Sequence, residues 1–208
     1  AEDKSGKMLV GTDGGGLDLM DEEGRFRPYC GNDGKEQPVL PEGSIIRVLH
    51  RDSSGRILVG TENSGFYVID PDSCGAEAYL HDPADPASLP SNFVRTIFED
   101  SSGQIWVGME NGGVAQFLPD KRLLLDLPLP AEGEDFPVSV RAITEDAERR
   151  LWIGTDRDGI YILDRKNNRW SIVKSSSGSG SLSSDTIRSF YTDINGHIWT
   201  GTDRKSVV

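Results

Sequence analysis

Four arginines invite a chemical reading of this chain. Arg47, Arg95, Arg141 and Arg188 recur at a nearly even pitch. Arginines converging on a carboxylate, with a tyrosine nucleophile and an acid beside them, are the apparatus of a sialidase-type glycosidase. The turn Asp100-Ser-Ser-Gly103 before Ile-Trp is similar to the Asp-box hairpin of such enzymes. The Asp-box, however, places Asp two residues before Gly, and here the separation is three. Symmetry argues against catalysis. A catalytic site breaks a repeat, whereas these arginines keep the same slot in every copy, as a structural network does. Paired carboxylates at glycosidase separation cannot be read from spacing where the fold itself repeats. The chain is therefore not expected to be an enzyme.

Other reactive residue types give less. His50, His81 and His197 are isolated, with no His-Glu-x-x-His or Cys-His partner nearby, so neither metal nor cofactor is expected. Cys30 and Cys74 lack CxxC spacing, and two cysteines alone do not decide for or against a disulfide. The serine run "KSSSGSGSLSSD" at 174–185 reads as a flexible loop, not a nucleophile elbow. The formal net charge of −12 argues against nucleic acid, which needs clustered Lys and Arg to displace counterions. No apolar run reaches the roughly 18 residues that span a bilayer, so these residues are expected to make no membrane contact.

Residues suited to binding lie in a series of polar turns. Glu62 and Asn63, Glu110 and Asn111, and Asp156 and Arg157 are the candidate ligand contacts, with Asp13 in the equivalent place nearer the start. Loops at one end of a rigid scaffold commonly carry such contacts. The same residue types also suit a hairpin turn for backbone reasons alone. A carbohydrate site would add an exposed aromatic ring. Tyr79, Phe93 and Trp170 are available, and each also suits packing at a sheet edge.

The elements that hold these turns repeat. Gly11, Gly60, Gly108, Gly154 and Gly201 occupy one slot at intervals of 49, 48, 46 and 47 residues. The copies read "IRVLHRDSSGRILVGTENSG", "VRTIFEDSSGQIWVGMENGG", "VRAITEDAERRLWIGTDRDG" and "IRSFYTDINGHIWTGTDRKS", after a shorter "DKSGKMLVGTDGGG". A period of about 20–50 residues means a stacked or radial array. Each unit offers four strand-like runs, in the third unit Val94–Glu99, 104–108, 113–118 and 122–127. Asp100 can accept amides two residues on, Gly103 tolerates a left-handed conformation, and Met109–Gly113 has hairpin chemistry.

Such a meander is apolar on both faces. In its first strand Val94 and Ile97 differ by an odd number and are expected to point to opposite sides. A sheet sandwiched between two neighbours satisfies that pattern, and the pitch suits propeller blades. Trp106, Trp152 and Trp199, with Leu9 and Leu58 in the same slot, would fill the gaps between blades. The expectation is an all-β partial β-propeller, an open arc of about four four-stranded antiparallel blades plus a fragment of a fifth. Its units are 3–45, 46–93, 94–139, 140–186 and 187–202. Residues 203–208, "DRKSVV", match no other copy and are expected to be a non-native or truncated tail. The in-frame reading of a common sequencing adapter gives the same six residues.

At these residues the chain resembles the two-component regulator propeller repeats of Bacteroidetes hybrid two-component sensors. The resemblance rests on the Arg-x-[apolar]-x-x-Asp frame, the "[Leu/Ile]-Trp-[Ile/Val]-Gly-Thr" ending, and the lead-ins "DPADPASLPSNFVR" and "SGSGSLSSDTIR". Departures are Leu9 and Leu58 for Trp, Met109 for Thr, and Arg149 for Gly. The resemblance implies a periplasmic sensor region of an inner-membrane protein. Such a region recognises oligosaccharides to regulate glycan-utilisation genes, and belongs to a longer histidine kinase that forms a homodimer. Its partners would be the oligosaccharide and the rest of the same sensor chain. A sialidase-like glycosidase and a non-catalytic protein-interaction propeller are the alternatives.

Overall fold

The computed structural model describes residues 1–3, 6–30, 39–119, 123–130, 138–177 and 181–204. They form seventeen strands: β1 Leu9–Gly11, β2 Leu17–Met20, β3 Phe26–Pro28, β4 Ile46–Arg51, β5 Ile57–Thr61, β6 Phe66–Ile69, β7 Ala76–Tyr79, β8 Val94–Glu99 and β9 Ile105–Met109, followed by β10 Val114–Leu118, β11 Leu123–Leu127, β12 Val140–Glu145, β13 Leu151–Thr155, β14 Ile160–Asp164, β15 Arg169–Val173, β16 Ile187–Thr192 and β17 Ile198–Thr202. Five antiparallel sheets result, ordered β1-β2-β3, β4-β5-β6-β7, β11-β10-β9-β8, β12-β13-β14-β15 and β16-β17. Neighbouring strands in each sheet are consecutive in the chain, so each sheet is a meander. The chain divides into two compact units, Ala1–Ile97 and Phe98–Val208.

Within the first unit, the first sheet packs on the second. Leu9, Leu17, Leu19 and Tyr29 share one core with Ile46, Ile57, Val59, Tyr67 and Ile69. Every residue of β5 and β6 is buried, while β7 alternates and β3 is exposed throughout. The middle strands are therefore covered on both faces. A disulfide joins Cys30 to Cys74, with Cα atoms 5.7 Å apart, and ties the end of the first sheet to the β6–β7 turn.

The second unit repeats the plan. Trp106 and Val114 pack with Val140, Ile143, Leu151, Ile153, Tyr161 and Leu163. On the far face of β14, Ile160 and Ile162 meet Ile187, with Trp152 and Phe190 against them. Trp152 meets Phe190 edge-on at 6.4 Å between ring centres.

The alternation expected of the first strands gives way to a bulge. Ile46 pairs with Thr61 and Val48 with Gly60, so Arg47 is the extra residue; the same shift occurs at Val140/Ala142 and Ile187/Ser189. One inserted residue reverses the facing of the later residues in the strand. Ile46 and Leu49 therefore stand opposite Thr61 and Val59, two residues apart and on one face. Ile187 and Phe190 do the same opposite Thr202 and Thr200. Both can then press on the preceding sheet.

That pressure explains the repeated glycine. A Cβ on Gly11 would lie 2.3 Å from Ile46 Cγ2, on Gly60 2.5 Å from Val94 Cγ1, and on Gly154 2.5 Å from Ile187 Cγ2. Each glycine is a notch for the β-branched residue that opens the next sheet.

Leu9, Leu58 and Trp106 are buried as expected, but Trp199 is 63% exposed. Phe190 covers Trp152, and no described residue plays that part for Trp199. The tryptophans share a further bond: Trp106, Trp152 and Trp199 donate Nε1–H to Asp100, Asp146 and Asp193 at 2.9, 2.7 and 3.0 Å. Among the tail residues 203–208, positions 205–208 lie outside the described residues.

Candidate functional site

Two turns of the second unit face each other across a cleft of about 300 Å³, lined by Glu110, Asn111, Val138, Ser139, Asp156, Arg157 and Asp158. Four of the six expected contacts, Glu110, Asn111, Asp156 and Arg157, thus come together. Glu62 and Asn63 belong to the first unit and serve their own turn. Glu62 accepts hydrogen bonds from the Arg47 guanidinium, and Asn63 Oδ1 accepts from the Ile45 amide at 3.4 Å. Asp13 bridges to Ile45 in the same unit.

The β13–β14 turn is fixed by its own hydroxyl and glycine. Thr155 Oγ1 donates to the Gly159 carbonyl at 2.9 Å and accepts from the Asp158 amide at 2.8 Å. Gly159 sits at φ 75°, where a Cβ would meet the Val173 carbonyl oxygen at 2.2 Å. In the β9–β10 turn Met109 replaces that threonine, and Asn111 takes a left-handed φ of 49°. Asparagine tolerates this conformation better than most residues.

Ser139 joins the two turns. Its Oγ accepts from the Asn111 amide and donates to Asn111 Oδ1, both at 3.0 Å, while its carbonyl accepts from the Asp156 amide at 3.0 Å. Sequence reasoning missed Val138, Ser139 and Asp158. A hydroxyl two residues before the repeated arginine was the available signal, since Thr186, two before Arg188, likewise donates to the Asp156 carbonyl at 2.7 Å.

Beneath the cleft, Arg141 Nε donates to Asp156 Oδ1 at 2.5 Å, and Arg188 Nη1 lies 3.8 Å from the same oxygen. The Arg141 hydrogen bond holds the Asp156 carboxyl below the usual carboxylate range, against partial burial. Reciprocally, that bond raises the Arg141 guanidinium, and the charges of Asp156 and Glu110 add to it. Arg47 and Arg141 are therefore committed to acids of their own sheets.

Among the described residues, no aromatic ring lines the cleft. Tyr79 packs on Phe66 at 5.7 Å, Phe93 lies under Arg95 at 4.3 Å, and Trp170 meets Tyr161 at 6.4 Å. Among the described residues, no group of three or more His, Cys, Asp or Glu could hold a metal ion, and no helix is long and apolar enough to cross a membrane.

The family model of the two component regulator propeller matches residues 88–111, 136–157 and 181–204, which contain most of the cleft. These segments are two-component regulator propeller repeats. Solved structures agree on the fold. The extracellular domain of a protein described as the hybrid two component system BT3049 of B. thetaiotaomicron superposes with a TM-score of 0.77 at 23% identity, covering 97% of this chain and 25% of that one. A second such domain, BT4673 of the same organism, gives 0.72 at 21%, covering 95% and 25%. Virginiamycin B lyase from Staphylococcus aureus gives 0.66 at 14%, covering 96% and 61%. The chain is a partial β-propeller and spans about a quarter of the length of the two extracellular domains. No curated protein matches the sequence.

Proposed function

We propose that the chain is a ligand-reading part of the extracytoplasmic region of a hybrid two-component sensor, acting by binding and not by catalysis. The ligand is an oligosaccharide, and its capture regulates genes for glycan use through a histidine kinase elsewhere in the full-length homodimer. One observation carries this reading: polar turn residues from two adjacent regulator-type repeats converge on one cleft. Carboxylates, an amide and a guanidinium are the usual partners of sugar hydroxyls. The Cys30–Cys74 disulfide supports an oxidising compartment such as the periplasm. Signalling would be a population shift, in which the ligand favours one arrangement of the full sensor over another.

Calorimetric titration of the chain with oligosaccharides released from plant and host glycans tests the reading. Binding that Asn111→Ala weakens is the expected result. Silence across the panel would refute it.

A further inference from the structure

We infer that the cleft between the β9–β10 and β13–β14 turns selects uncharged, hydroxyl-rich oligosaccharides and turns acidic ones away, an inference that rests on the oligosaccharide reading above. Its charge layout carries the point. Among the described residues, three carboxylates line the cleft, Glu110, Asp156 and Asp158, against one lining cation, Arg157. Of the other nearby guanidiniums, Arg141 is bonded to Asp156, with Glu110 acting on it as well, and Arg188 stands 3.8 Å from the same Asp156 oxygen. A uronate or sulfate entering here would meet Glu110 and Asp158 beside the Arg141–Asp156 pair, with Arg157 the one cation among the described lining residues to neutralise it. Like charges brought together in a partly desolvated site oppose binding.

A neutral sugar meets no such opposition. Its hydroxyls donate to Glu110 and Asp158, charge-assisted bonds that are stronger than neutral ones. The same hydroxyls accept from Arg157 and from Asn111 Nδ2, the Oδ1 of Asn111 being engaged by Ser139. Val138 offers an apolar contact for ring C–H groups. At about 300 Å³ the cleft stands at the small end of ligand sites, which suits the end of an oligosaccharide.

The test is calorimetric titration of the chain with neutral gluco-, manno- and xylo-oligosaccharides against oligogalacturonate and a sulfated glycosaminoglycan fragment of similar length, at low and high salt. We expect at least one neutral sugar to bind with little salt dependence, and to bind about tenfold more weakly in Glu110→Ala and Asp158→Ala. Glu110→Gln, which keeps the side-chain shape, separates lost bonding from a folding defect. Binding of an acidic sugar that weakens with salt and is lost in Arg157→Ala would overturn the selectivity and leave the sensor reading standing. Failure of every sugar, neutral and acidic, would overturn the glycan reading itself and the selectivity with it.

Discussion

Replacing Gly154 with Ala tests the packing rule of the repeat. The new Cβ would lie 2.5 Å from Ile187 Cγ2, 2.9 Å from Ile187 Cβ and 3.0 Å from Phe190 Cε2. Carbon atoms settle at about 3.5–4.0 Å, so β16 must retreat from β13 by about 1 Å. Overpacking of this kind costs about 1–3 kcal/mol. In a chain of this size that lowers the melting temperature by about 2–4 °C per kcal/mol. Because φ at Gly154 is not positive, backbone strain adds nothing to the loss. Urea unfolding followed by tryptophan fluorescence measures the effect, with Ile187→Ala and the double variant completing a cycle. The double variant should be more stable than the sum of the single losses predicts, by about 1 kcal/mol. Gly201→Ala provides a contrast: the nearest described atoms its Cβ would meet belong to Ser189, first the rotatable Oγ at 2.7 Å, and it should cost less. Gly154→Ala within about 0.5 kcal/mol of wild type, or strict additivity with Ile187→Ala, would refute the notch.

Four further outcomes rest on particular side chains. Arg149 stands at φ 62° where other copies carry a glycine, so Arg149→Gly should raise stability by about 1 kcal/mol in urea unfolding, its carbonyl bond from Arg165 being retained. Arg165 bonds Asp100, which is fully buried, and Glu145, nearly so; Arg165→Met should cost about 2–4 kcal/mol by leaving those carboxylates short of a partner. Burial opposes ionisation of Asp100 and Asp146, but bonds from tryptophan, backbone amides and arginine outweigh it and hold both below the usual 3.8. Asp193, bonded by Trp199, falls to about 2. A depressed carboxyl stabilises the fold above its unfolded pKa, so urea midpoints should hold above about pH 4 and fall as pH drops towards 2, less steeply in Asp100→Asn. Cys30→Ser with Cys74→Ser frees a 44-residue separation, worth about 4 kcal/mol by loop-closure entropy; calorimetry should show a first-unit transition shifted down.

The repeat made the architecture legible, because pitch and turn chemistry are local properties. Strand β8 runs over the residues its apolar pattern marks, and β9 begins one residue later than expected. The bulge at Arg47, Arg141 and Arg188 escaped, since counting odd and even positions assumes unbroken pairing. The tryptophan-to-aspartate bonds escaped too, because residues six apart meet only after the hairpin closes. At the site, the polar turns were visible in the sequence but their grouping was not. Ser139 draws Asn111 and Asp156 together from 28 and 17 residues away, and nothing local announces such a latch.

Hydrogen–deuterium exchange of the chain with and without a saturating neutral oligosaccharide addresses the binding role most directly. Protection concentrated in 109–113, 138–140 and 155–159, the two turns and the strand entry that joins them, is the predicted result. Protection confined to other segments, or none at all, would contradict it.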